Sequence, residues 1–278
     1  MNKLITFLFF IGLVLIFFLF PAKANLNSLT FPKSAHLYEV VNAESAYNRI
    51  WVEEAACQVA KENAYIHHIT YITDPGLISK FLSIDISDSR TRALYMLEDR
   101  RNVPEIYLNH RWIGIYGIVP GKEIRVQETK KKLIEYVNKR TYKPQATWSL
   151  VESYQIEDIF YVQLEALKNL PSSFLENTFL VALLVLDELP SCVTPDQNHK
   201  NVMVKALKSV DDSEPFAGSG YLMSRLIGKS EITAGDTISM SFALTKPTIT
   251  WKSGWKVYIL IENSKQKTVY DIYSIPLT

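Results

Sequence analysis

The sequence predicts an α/β unit followed by an all-β sandwich, and three observations predict it. Strand-like and helix-like stretches alternate as far as about residue 140. The apolar periodicity then changes from one typical of helices to strict alternation. Between the two regimes, Thr141-Tyr142-Lys143-Pro144-Gln145 has the composition of a linker. A chain of 278 residues is long enough for two domains with separate cores, and 47% apolar content suits a globular fold.

The chain opens with Met1-Asn2-Lys3, an unbroken apolar run from Leu4 to Phe20, and Pro21-Ala22-Lys23-Ala24. A basic start, an apolar stretch and an Ala-x-Ala ending predict a signal peptide over residues 1–24, cut after Ala24. The alternative is an inner-membrane anchor over residues 4–20, short for a span that needs about 20 residues. Export places the protein in the periplasm or against the outer envelope. Cleavage removes Lys3 and Lys23 and no acid, so the formal charge of +1 becomes −1. A nearly neutral protein offers no electrostatic footing for nucleic acid, and a membrane enters only if the N-terminal segment is retained.

In the first half, residues 25–142, Leu37 to Val41 reads as a strand and Glu44 to Asn63 as a helix with Tyr47, Ile50, Cys57 and Ala60 on one face. Ala64 to Ile72 reads as a second strand, closed by Asp74-Pro75-Gly76. Leu77 to Arg100 has helical spacing. Glu105 to Leu108 and Arg111 to Ile115 form a hairpin across Asn109-His110, where Asn suits a positive φ and His is a poorer second residue than Gly. Lys122 to Arg140 closes this half as a helix. Its Val126, Leu133 and Val137 face inward, and Lys130-Lys131-Lys132 form a solvated face interspersed with glutamates.

After a linker at residues 143–147, the half from 148 to 278 carries turn signals between short strands. Phe160, Val162, Leu164 and Ala166 alternate with polar neighbours, as in a half-buried strand. Phe179 to Leu186 is apolar enough for a central strand. Further strands are expected at Val202–Leu207, Tyr221–Ile227, Thr237–Leu244, Trp255–Glu262 and Val269–Ile275. About seven strands without a helix predict a sandwich. The aromatic C-terminus, with Trp251, Trp255, Tyr258, Tyr270 and Tyr273, is expected to fill its core.

Val103-Pro104-Glu105-Ile106-Tyr107-Leu108-Asn109 resembles the run that borders a thioredoxin active site, where a cis proline faces the first helix. Over roughly residues 35–140 the chain is similar to a thioredoxin-like domain. The whole layout resembles exported bacterial proteins of the secreted thioredoxin-like and outer-membrane-protein-28-related type. The resemblance implies an α/β thioredoxin-like domain followed by an all-β immunoglobulin-like sandwich. Those families usually place Cys-x-x-Cys after the first strand, whereas this chain has Ala46-Tyr47-Asn48-Arg49 there. Thiol-disulfide exchange needs a thiolate and a resolving thiol, and this window supplies neither.

No catalytic residue is therefore assigned. The emptied site is a candidate binding groove bordered by Asn42, Glu44, Ser45, Tyr47, Asn48 and Pro104, since a helix N-terminus gathers free N–H groups, although simple capping by Asn42 or Ser45 accounts for the same residues. Cys57 and Cys192 either form a disulfide across a long loop, worth about 4–5 kcal/mol, or stay as two buried thiols. His67 and His68 adjoin on a strand and point to opposite faces, one buried and one exposed, so they do not share a metal. Cys192, Asp196 and His199 match no zinc spacing, and Asn198 to Val202 reads as structural. No Gly-x-Ser-x-Gly elbow or phosphate-cradling loop occurs, so no cofactor is expected. The reading that follows is a non-catalytic binding or assembly module in the envelope, partnered by protein or peptide. The alternative is a thiol-disulfide oxidoreductase using Cys57, Cys192 or both.

Overall fold

A computed structural model describes residues 36–42, 51–72, 105–114, 122–139, 146–190, 198–210, 221–228, 231–247, 249, 252–263 and 268–277. Ser34–Thr278 form one compact unit. Among the described residues the fold is β-rich, with two sheets and few helices, none of them long and apolar enough to cross a membrane. The segment expected as signal or anchor, the stretch 77–100 expected as helical and the expected linker residues 143–145 lie outside the described residues.

Strand β1 (His36–Asn42) runs parallel to β2 (Ile66–Ile72), from His36 opposite Ile66 to Asn42 opposite Ile72. On its other side it pairs antiparallel with β3 (Glu105–Leu108), which turns into β4 (Arg111–Gly114). Parallel neighbours need a crossover, and helix α1 (Trp51–Glu62) lies within it. Its acids Glu53 and Glu54 stand in the first turn and Lys61 in the last, opposing the helix dipole, and Gln58 Nε2 donates to Glu54 Oε1 at 2.8 Å. The buried face centres on Val52, Ala55, Ala56 and Val59, with Cys57 at its border, because α1 is covered by helix α2 (Lys122–Lys139) as well as by the sheet. In α2, Val126 and Leu133 point inward, Lys131 and Lys132 are exposed, and Lys130 pairs with Glu62 of α1 at 2.5 Å.

The second half adds β5 (Trp148–Ile156), β6 (Ile159–Ala166), helix α3 (Ser172–Leu175), β7 (Thr178–Pro190), β8 (Asn198–Ala206), β9 (Lys208–Ser209) and β10 (Tyr221–Leu222). Helix α4 (Met223–Ile227), β11 (Thr237–Ala243), β12 (Trp255–Asn263) and β13 (Thr268–Leu277) complete it. One sheet has the order β5-β6-β11-β9. The other runs β13-β12-β7-β8-β2-β1-β3-β4, with β10 beside β7, so strands of both halves belong to one sheet. The join is β2 against β8, parallel, at Thr70 and Val202.

The cores follow from this shared sheet. One lies between the two sheets around Trp148, Phe160, Leu184, Phe242 and Ile259. Another lies between the helices and β1, β2 and β3. A third takes Leu37, Ile69, Tyr71 and Tyr107 from the first half and Leu183, Tyr258 and Leu260 from the second. This is why β7 carries a continuous apolar run: it is covered on both faces.

The segment expected as a strand over Tyr221–Ile227 pairs only at Tyr221 and Leu222 and then becomes α4. Met223 is buried and Leu226 and Ile227 pack beside it, a spacing that serves one helical turn, and Gly228 ends that turn at φ +63°. Strand β5 was not expected. A bulge between Leu150 and Glu152 breaks its alternation, and as an edge strand it buries few side chains.

Asp271 of β13 fixes the start of β5. Its buried carboxylate accepts hydrogen bonds from the Thr147 N–H at 3.0 Å, the Trp148 N–H at 3.2 Å and the Thr147 hydroxyl. Burial raises the carboxyl to about 6, against the opposing pull of these donors. The folded value lies above the ordinary 3.8, so this group's contribution is fully present below about pH 4 and lost as the pH rises to about 6. The loss is about 3 kcal/mol. Measured by urea unfolding, the stability of the protein relative to Asp271→Asn is expected to fall by that amount across this window; a pH-independent difference would contradict it.

Candidate functional site

Of the residues assigned to the emptied groove, Asn42 closes β1, where its backbone pairs with Ile72. Glu44, Ser45, Tyr47, Asn48 and Pro104 lie outside the described residues, as do Cys192 and Asp196. Glu105 opposite Val41 sets the start of β3 beside the end of β1.

Cys57 is a free thiol on α1 and is 6% exposed. Burial pushes its pKa up; Lys61, Lys200 and Lys256 pull the other way without reversing the shift. His68 is fully buried, bonded to Thr70 Oγ1 at 3.0 Å, and burial with Lys256 nearby lowers it to about 3. One of the two was expected to be exposed, but His67 is half-buried. Tyr258 of β12 covers it edge-to-face with ring centroids 6.0 Å apart, and burial together with Lys256 lowers it to about 4. His199 belongs to strand β8 rather than to a loop. Its Nδ1–H donates to Glu53 Oε1 of α1 at 2.9 Å, with both side chains essentially inaccessible. Among the described residues no three His, Cys, Asp or Glu side chains are grouped to hold a metal.

These residues border one feature that the sequence did not reveal. Below the Thr70 and Val202 pair no further ladder joins β2 to β8 among the described residues. The Lys200 N–H, which a neighbouring strand would otherwise accept, donates to Glu53 Oε2 at 3.2 Å. Asn201 turns the strand at φ +50°. The gap is a cleft of about 370 Å³ lined by α1, β2, β7, β8, β12 and β13. Lys256 Nζ holds its floor, 2.6 Å from Asp187 Oδ1 and 3.0 Å from Asn201 Oδ1. Lys200 pairs with Glu188 at 2.5 Å. The Asp187 carboxylate packs where a side-chain carbon at position 254 would stand, so any larger residue than Gly254 would displace it. Lysines and acids scattered over 200 residues of sequence left no local pattern to find.

No protein-family model matches the chain, and no curated protein matches it. Its fold is similar to that of HBP35 of Porphyromonas gingivalis. That likeness has a TM-score of 0.51 at 12% identity and covers 88% of this chain and 76% of HBP35. A structural-genomics target from Agrobacterium tumefaciens is similar at a TM-score of 0.41 and 11% identity, over 87% of this chain and 95% of that one. At 12% identity the likeness to HBP35 concerns the fold alone.

Proposed function

We propose that the chain is an exported, non-catalytic protein of the thioredoxin-like type that acts as a binding or assembly module in the bacterial envelope, with protein or peptide as partner. The order β2-β1-β3-β4, with one parallel pair, a helix in its crossover and an antiparallel hairpin, supports the thioredoxin-like reading. Two facing antiparallel sheets in the second half support an immunoglobulin-like sandwich.

The observation that carries the non-catalytic reading is the state of Cys57. A redox thiol needs access and a lowered pKa, commonly at a helix N-terminus. Cys57 lies mid-helix, buried, with its pKa raised. Protein isolated from an envelope fraction, starting at Asn25 after cleavage, is expected to be silent in an insulin-reduction assay. Turnover that Cys57→Ala abolishes would establish the oxidoreductase instead, and a start at Met1 would replace export in free form by anchoring.

A further inference from the structure

The cleft between α1 and the β2/β8 gap has two unlike walls. Ala60 near the end of α1 and Ala64 in the turn after it, together with the His67 and Tyr258 rings, make one wall apolar. Lysines and their partners make the other. Asp187 and Glu188 are each already engaged, by Lys256 and Lys200. Lys61 extends from the last turn of α1 to the same space, and no carboxylate among the described residues lies within ion-pair distance of it. Among the lining side chains three ammonium groups thus face two carboxylates, and Lys61, the one outside a close ion pair among the described residues, acts on Glu188 only at longer range. His67 adds no charge at neutral pH, since it titrates near 4.

A charge uncompensated beside an apolar wall is felt more strongly than one in open water. The volume, about 370 Å³, falls in the range of small-molecule sites, roughly 300–1,000 Å³. An occupant matched to these walls carries a single negative charge at one end and an apolar body at the other. A purely polar anion would leave the Ala60 and Tyr258 wall wet, and a neutral apolar molecule would leave Lys61 unmatched.

We propose that this cleft binds a small amphipathic organic monoanion, its carboxylate on Lys61 and Lys256 and its apolar body against Ala60, Ala64 and the Tyr258 edge. The site is separate from the emptied groove near Asn42, and it stands whether or not the chain is exported or redox-silent.

Calorimetric titration of the purified protein with 2-naphthoate tests it. Saturable binding is expected, weakened at least about tenfold in Lys61→Met and in Lys256→Met and reduced by added salt. The neutral isostere 2-naphthalenemethanol is expected to bind at least about tenfold more weakly than the acid. Lys61 is exposed on the helix surface, so Lys61→Met keeps the fold even where loss of Lys256 disturbs it. Absence of saturable naphthoate binding, equal affinity for the alcohol, or wild-type affinity in Lys61→Met would each overturn the proposal.

Discussion

His110→Ala is expected to lower unfolding free energy by about 3 kcal/mol, the range for leaving one member of a buried charge pair alone. His110→Gly is expected to cost about 1 kcal/mol less, because Gly relieves a backbone conformation that Ala keeps. His110 is the second residue of the β3–β4 turn, at φ +65° after Asn109 at φ +50°. Both central residues of such a turn have positive φ, and Gly is the favoured second one. Histidine is held there by its ring. Nδ1–H donates to Glu39 Oε2 of β1 at 2.7 Å, and Nε2–H to Glu262 Oε2 of β12 at 3.0 Å. With both nitrogens donating to carboxylates, the ring is an imidazolium, and it ties the hairpin to the far strands of the shared sheet. Glu39 is wholly buried, so removing the imidazolium takes a counter-charge from a buried carboxylate that keeps its hydrogen bonds from the Tyr71 hydroxyl and the residue-110 N–H.

The same site gives the protein a pH dependence with a definite sign. Burial pulls the imidazole down, but Glu39 and Glu262 outweigh it and hold it up at about 9, against an ordinary 6.5. The folded chain keeps this proton where the unfolded chain loses it. Its contribution, about 3 kcal/mol, is therefore complete below about pH 6.5 and lost as the pH rises through about 9. Urea unfolding at both ends of that window should show the loss in the wild type and not in His110→Gln. An equal slope in the two proteins would remove the imidazolium from the account.

The Asn109-His110 turn was legible as a turn, yet the reason for its histidine was not, since Glu39 and Glu262 are distant in sequence and invisible to local pattern. The same division runs through the fold. Alternation over Phe160–Ala166 and the apolar run at Phe179–Leu186 announce strands because each side chain's fate is set by its own sheet face. The bulged edge β5 lacks that signature. The continuity of one sheet across both halves rests on the contact of Thr70 with Val202, for which neither strand carries a local mark. The cleft exists because that contact is short.

Glu53→Ala is expected to be at least as damaging as the loss of His110, about 3–5 kcal/mol, because it takes the acceptor from buried donors. Glu53 Oε1 accepts from His199 Nδ1–H at 2.9 Å, and Oε2 accepts from the Lys200 N–H at 3.2 Å. This carboxylate stands in for the strand partner that β8 lacks on that side, and it is the polar clasp between α1 and β8. Glu53→Gln keeps an acceptor oxygen and is expected to recover part of the loss. The damage should also be local before it is global, since α1 then hinges away from β8 while its contacts with α2 persist. Cys57, four residues along the same helix and at the cleft wall, reports this opening. In a Cys192→Ser background, thiol labelling of Cys57 is expected to quicken by more than about tenfold in Glu53→Ala, as 1.4 kcal/mol or more of lost local stability requires. Unchanged labelling, with global stability reduced, would mean that α1 is held by its apolar face alone and that the Glu53 and His199 pair serves the whole sheet.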